Sequence, residues 1–143
     1  MNPLFLSLAP LYRIADGLRY LKHGDIGRYG EDLAHRWLRA RGFRVVARNW
    51  RPPQGGGEID IIAWEGDCLV FVEVKTRVTG AWAAPERDVD HDKMHALRRA
   101  ARDYIRRANT GESRVRFDAI SITGRRIEHL RDAFGAPGKT RPL

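Results

Sequence analysis

Cysteine is almost missing from the 143 residues: Cys68 stands alone. A lone thiol closes no intramolecular disulfide and supplies no cysteine-rich zinc site, so the composition fits a reducing compartment and a cytoplasmic location is expected. Long apolar runs are missing as well, because no stretch approaches the roughly 18 residues of a membrane span. Residues 4–12 (LFLSLAPLY) have the look of a secretion-signal core. No Lys or Arg precedes them and no small-x-small cleavage pattern follows, so export is not expected. Internal repeats and low-complexity blocks are absent, which excludes solenoid architectures. Negative charge is in deficit: 18 Asp plus Glu stand against 26 Lys plus Arg, a net charge of +8. That excess argues against polycationic partners and favours polyanions, nucleic acid first and an anionic membrane surface second.

What is present is the material of one packed domain, with 43% hydrophobic and 31% charged residues. Residues 1–24 read as a helical appendage, 25–133 as the domain body, and 134–143, with two Pro and two Gly, as a flexible tail. In the appendage Pro10 can begin a helix with Leu11, Ile14, Ala15, Leu18 and Leu21 on one face, and docking on the body is expected. The alternative, peripheral membrane contact by residues 1–22 through Arg13, Arg19 and Lys22, is not expected.

The body opens with Asp25 as a helix cap. Tyr29, Leu33, Ala34, Trp37 and Leu38 follow at helical spacing, and Gly42 is the stop. Residues 43–50 read as a strand, ended by Arg51-Pro52-Pro53 and the Gly55–Gly57 run. Residues 58–64 (EIDIIAW) and 69–77 (LVFVEVKTR) form a hairpin around Glu65-Gly66-Asp67. A loop with Gly80, Trp82 and Pro85 leads to a second helix at 91–108, a fourth strand at 115–123 and a short fifth at 127–130. This order specifies an α/β domain with a mixed β-sheet flanked by helices.

The hairpin carries charge where strands normally keep it out, since an unpaired buried carboxylate costs several kcal/mol. Period two puts Glu58 and Asp60 on the face of Ile62 and Trp64, and Glu73 and Lys75 on the face of Leu69 and Phe71. If Ile62 pairs with Phe71, Asp60 lies opposite Glu73 and Glu58 opposite Lys75, about 5 Å apart. Two carboxylates that close repel unless a proton or cation is shared, and hard oxygen ligands suit Mg²⁺ or Mn²⁺. The competing reading makes Glu58 and Lys75 a cross-strand ion pair on a solvated face, with Asp60 and Glu73 facing water. Strongly apolar flanks, the space at Gly55–Gly57 and Glu31 beside the first helix's apolar stripe favour the shared site.

The run G-E-I-D (57–60) followed by V-F-V-E-V-K-T-R (70–77) resembles the PD-(D/E)XK signature of restriction-endonuclease-like nucleases. With Gly30-Glu31, Ala34, Lys93 and Arg116-Phe117-Asp118, the series over residues 27–130 is similar to the YraN family of small bacterial proteins, themselves similar to archaeal Holliday-junction resolvases. The resemblance implies a restriction-endonuclease-like core of order αβββαβ and a Mg²⁺ (or Mn²⁺)-dependent nuclease. Asp60 and Glu73 would be the metal-binding acids, the Val74 carbonyl a further ligand, and Lys75 the active-site lysine. Glu31 matches the helix acid of the resolvase-like branch, which would bind or orient a metal-bound water, and Glu58 is an auxiliary acid. Ile59 stands where the signature has proline.

Partner expectations follow from the same residues. Arg98, Arg102 and Arg106 repeat at helical spacing and can contact phosphates, as can Lys93 near the helix start, although a solvated helix face explains the arginines as well. Trp82 can stack on an unpaired base or cover the core. DNA is expected over RNA, with branched or structured DNA as substrate, and a homodimer follows from analogy with junction resolution. The rival function is an accessory nucleic-acid-binding protein of the same fold with little or no catalysis. His91 and His95 have zinc-binding spacing but lack the HExxH glutamate, and the glycine run is no phosphate-binding P-loop because no Gly-Lys-Ser/Thr follows.

Overall fold

A computed structural model describes residues 26–77 and 91–134. The readings of the appendage, of the Trp82 loop, of the His91 side chain and of the tail beyond Phe134 lie outside the described residues. The elements run α1 (Ile26–Ala40), β1 (Arg44–Trp50), β2 (Ile59–Glu65), β3 (Cys68–Arg77), α2 (His91–Ala108), β4 (Arg114–Thr123) and β5 (Arg126–Leu130). Five strands form one sheet in the order β1-β2-β3-β4-β5. All neighbours are antiparallel except β3 and β4, which run parallel across the α2 connection. The fold is thus an α/β domain with a mixed sheet, consistent with a restriction-endonuclease-like core.

Local chemistry sets the element ends. Gly42, at φ 87°, lets the chain leave α1 in a left-handed turn in which the Phe43 N–H bonds the Leu38 carbonyl at 3.1 Å and the Gly42 N–H bonds that of Arg39 at 3.1 Å. This six-to-one pattern is the Schellman closure that glycine permits. The β2–β3 hairpin turns through Gly66 and Asp67 and pairs Ile62 with Phe71, the expected register.

The sheet is covered on both faces. Leu33, Ala34 and Leu38 of α1 pack on Ile61, Ala63, Val70, Val72, Ile120 and Ile122. Leu97, Ala100 and Ala101 of α2 pack on the other face against Ile59, Ile62, Leu69, Phe71 and Phe117. Strands that are apolar on both sides suit a sheet sandwiched between helices. The alternation expected of β2 breaks at its start, however: Ile59 and Ile62 pack on the same face. β1 breaks likewise, since Ala47 and Trp50 both pack on the α2 side, with Asn49 between them at φ 49°. Asp60 therefore does not simply share the Ile62 face, as strict period two required. Both strands are re-aimed at this end of the sheet, as bulges and left-handed residues do.

Phe134 packs against the α2-side cluster, and its carbonyl accepts from Arg98 at 2.8 Å. Asp118 is fully buried in β4 and satisfied by Arg116 (2.7 and 2.9 Å), His129 Nε2 (2.8 Å) and the Asp132 N–H (3.0 Å). Arg116 also reaches Glu65 at 2.7 Å. Burial raises the Asp118 carboxyl, but His129, Arg116 and the Asp132 amide outweigh it and hold its pKa down to about 2. Asp118 ties β4 to β5 and to the turn after it.

Candidate active site

Three acids, one from α1, one from the loop before β2 and one from β2, meet at the open end of β1 and β2. Single carboxylate oxygens of Glu31, Glu58 and Asp60 all lie within 4.8 Å of one another. Glu31 arrives from the second turn of α1, Glu58 precedes β2, and Asp60 is its second residue. Gly30 makes the first of these placements possible. A Cβ built there would lie 1.7 Å from Thr76 Oγ1, so only glycine lets α1 approach β3 this closely.

Asp60 occupies the gap where the β2–β3 ladder ends at Ile61↔Val72. The Val74 N–H donates to Asp60 Oδ2 at 2.7 Å, so the acid side chain takes the bond that a neighbouring strand's carbonyl would otherwise accept. Burial pushes the Asp60 carboxyl up to a pKa of about 7, and the charges of Glu73, Glu31 and Glu58 push the same way against the Val74 bond. A carboxyl so placed can be neutralised by a proton or by a cation. The donor set is all oxygen and carries up to three negative charges, which fits Mg²⁺ or Mn²⁺ and not a thiolate- or imidazole-seeking metal.

The remaining residues of the signature divide. Glu73 is buried and ion-paired with Lys93 of α2. It lies near enough to Asp60 to raise its pKa, yet it is not one of the three clustered acids. Lys75 is half-buried and lines a pocket with Glu73, Lys93, Met94, Leu97 and Ser121. The cross-strand Glu58–Lys75 partnership is not formed. Glu58 is paired with Arg51, whose Nε donates at 2.8 Å, because the re-aimed start of β2 turns Glu58 toward β1.

The α2 arginines also separate. Arg98 is partly buried and holds the Phe134 carbonyl. Arg106 and Arg107 both pair with the buried Asp103, which also accepts from Gln54 at 3.3 Å. Arg102 is exposed, and no ion pair to it is found among the described residues. The glycine run is less open than its composition implied: Gly55 and Gly56 have free space, but a Cβ on Gly57 would meet the Ala96 carbonyl oxygen of α2 at 3.0 Å.

Sequence reasoning missed the donors that hold the acids. Asn49 Nδ2 donates to Glu31 Oε2 at 2.8 Å and to Glu58 Oε1 at 3.0 Å. Arg48 pairs with Asp32 at 2.6 Å and stands 3.7 Å from Glu31. The available signal was an asparagine between Arg48 and Trp50 inside a strand, where asparagine is depleted.

Comparison with known proteins agrees with this geometry in extent. The family model described as "Uncharacterised protein family UPF0102" matches residues 30–122, from the Gly30 contact to the end of β4. A UPF0102 protein of Solibacter usitatus is 52% identical over 128 residues, covering 87% of this chain and 97% of that protein. UPF0102 proteins of Nitratidesulfovibrio vulgaris and Rhodococcus opacus are each 44% identical, over 112 and 114 residues, covering 76% of this chain and 82% and 95% of theirs. No described helix is long and apolar enough to cross a membrane. The chain belongs to the uncharacterised protein family UPF0102.

Proposed function

We propose that this protein is a metal-dependent nuclease of the PD-(D/E)XK type, similar to junction resolvases, that hydrolyses phosphodiester bonds in branched or structured DNA. The observation that carries the reading is the meeting of Glu31, Glu58 and Asp60 within 4.8 Å at the strand end where Glu73 and Lys75 also emerge. Asp60 and Glu31 would hold the cation, with Glu58 beside them and Glu73 and the Val74 carbonyl as further oxygen donors. Held there, Mg²⁺ or Mn²⁺ would supply charge neutralisation at the phosphate and a more acidic water. Lys75 presents its ammonium to the phosphate, where it stabilises the added negative charge or orients the water. The water oxygen loses a proton and bonds to phosphorus, the phosphorus bond to the sugar oxygen breaks, and that oxygen takes up a proton.

The net charge of +8 supports a polyanionic substrate, with Arg102 and Lys93 as phosphate contacts on α2. A cytoplasmic location and a two-fold dimer on a branched substrate belong to the same proposal. The Glu73–Lys93 ion pair favours a second reading, because a site acid is already engaged by a protein cation. In that reading the protein keeps the fold and binds nucleic acid as an accessory factor without cutting.

The test is cleavage of labelled linear duplex, single strand, flap, four-way junction and structured RNA in Mg²⁺, Mn²⁺ or EDTA, with Asp60→Asn and Lys75→Ala alongside. Cutting that needs metal and disappears in both variants is the expected result. Binding without cutting under every condition replaces the nuclease with the accessory protein.

A further inference from the structure

Asn49 sits where a strand residue should not. Its φ of 49° is left-handed, a region that non-glycine residues other than Asn and Asp rarely enter. The pairs Arg48↔Ile61 and Trp50↔Ile59 flank it, so Asn49 faces Asp60 across the β1–β2 ladder. At this same point both strands exchange faces, since Ala47 and Trp50 on β1 and Ile59 and Ile62 on β2 all pack on the α2 side. The twist carries the Asn49 side chain to the sheet end, between an acid from α1 and an acid from the loop before β2.

One amide nitrogen there serves two carboxylates, Glu31 at 2.8 Å and Glu58 at 3.0 Å. Both acceptors are ionisable oxygens, so the –NH₂ group and not the carbonyl oxygen faces them. The amide is neutral. It fixes the direction of two carboxylates without cancelling their charge, as a lysine in its place would. Of the guanidiniums nearby, Arg51 bonds Glu58 and is largely exposed, and Arg48 stands 3.7 Å from Glu31 but makes its closer contact, 2.6 Å, with Asp32.

We infer that Asn49 is a positioning residue for the cation site: its amide holds Glu31 and Glu58 in the orientation that lets them join Asp60 around one divalent ion. The inference rests on the metal-dependent reading above. It deepens that reading by adding a residue from β1 that no part of the nuclease signature contains. Outer partners of ligating carboxylates typically change metal affinity by about 10–100-fold when removed.

Two substitutions separate the amide from the backbone. Asn49→Gly keeps the left-handed φ available and removes the donor, while Asn49→Asp keeps shape and φ tolerance and replaces the donor by an acceptor. Mn²⁺ binding to the full chain is measured by calorimetry, with thermal melts in EDTA as the fold control and Asp60→Asn as the ligand control. Asn49→Gly is expected to bind Mn²⁺ at least tenfold more weakly while melting near the wild type, and Asn49→Asp, whose added carboxylate itself attracts the cation, is expected to bind more tightly than Asn49→Gly. In a Glu31→Gln, Glu58→Gln background, Asn49→Gly is expected to change Mn²⁺ affinity little further. Wild-type affinity in Asn49→Gly, with binding lost in Asp60→Asn, overturns the role of Asn49 and leaves the metal reading standing. Absence of Mn²⁺ binding in the wild type overturns both.

Discussion

Gly30 on α1 and Thr76 on β3 touch so closely that a methyl group at residue 30 would fall 1.7 Å from Thr76 Oγ1 and 2.9 Å from its Cβ. The contact explains why a glycine precedes Glu31 inside a helix, where glycine costs about 1 kcal/mol relative to alanine. Helix propensity is given up so that the helix backbone, and the acid after it, can reach the sheet.

Gly30→Ala is therefore expected to destabilise the domain by about 1–3 kcal/mol despite the better helix former, because overpacking outweighs propensity. Adding Thr76→Ala removes the nearest atom and recovers part of the loss. Urea unfolding of the two single variants and the double variant measures this. A Gly30→Ala protein as stable as the wild type contradicts the steric argument.

Asp60 makes the metal-free protein sensitive to pH in an unusual direction. Its pKa is about 7 in the fold, against 3.8 for an ordinary aspartate. The folded state thus holds the extra proton, so this stabilising contribution is full below pH 4 and is lost as pH rises through about 7. In EDTA at pH 8, Asp60→Asn is expected to be more stable than the wild type by roughly 2–4 kcal/mol. Mg²⁺ or Mn²⁺ should raise the melting temperature of the wild type and not of the variant.

Asp118 acts in the opposite sense. With its pKa held at about 2, its contribution is full above pH 4 and disappears as pH falls through 2. Asp118→Asn is expected to flatten that acid limb, and Asp118→Ala to cost about 3–5 kcal/mol at pH 7 by leaving Arg116 without its buried partner. Melting curves between pH 2 and pH 8 test both.

The α2 arginines should respond differently to substitution. Arg102→Ala is expected to leave the melting temperature unchanged while reducing the slope of log affinity against log salt by about one, if it meets a phosphate. Arg98→Ala should lower stability by about 1–2 kcal/mol, because it strips the Phe134 carbonyl of its donor. Fluorescence anisotropy on a labelled duplex at several salt concentrations, paired with thermal melts, distinguishes the two.

The order of elements and the hairpin register were legible from the chain because both are local. Gly42 and Gly66 punctuate it, apolar periodicity marks the helices, and a two-residue turn fixes Ile62 against Phe71. The acids of the hairpin stood out for the same reason, as charges inside apolar strands. Their partners did not. Glu58 pairs with Arg51 and not Lys75, Glu73 with Lys93, and Glu31 with Asn49, because sheet twist and helix approach set these contacts. A strict period of two cannot foresee a left-handed residue at Asn49 that re-aims a strand, nor can helical spacing tell an arginine that caps a distant carbonyl from one that faces water. Which residues lie on which element follows from local pattern along the chain. The tertiary structure decided which of them meet, since a carboxylate's surroundings are supplied by segments far away along the chain.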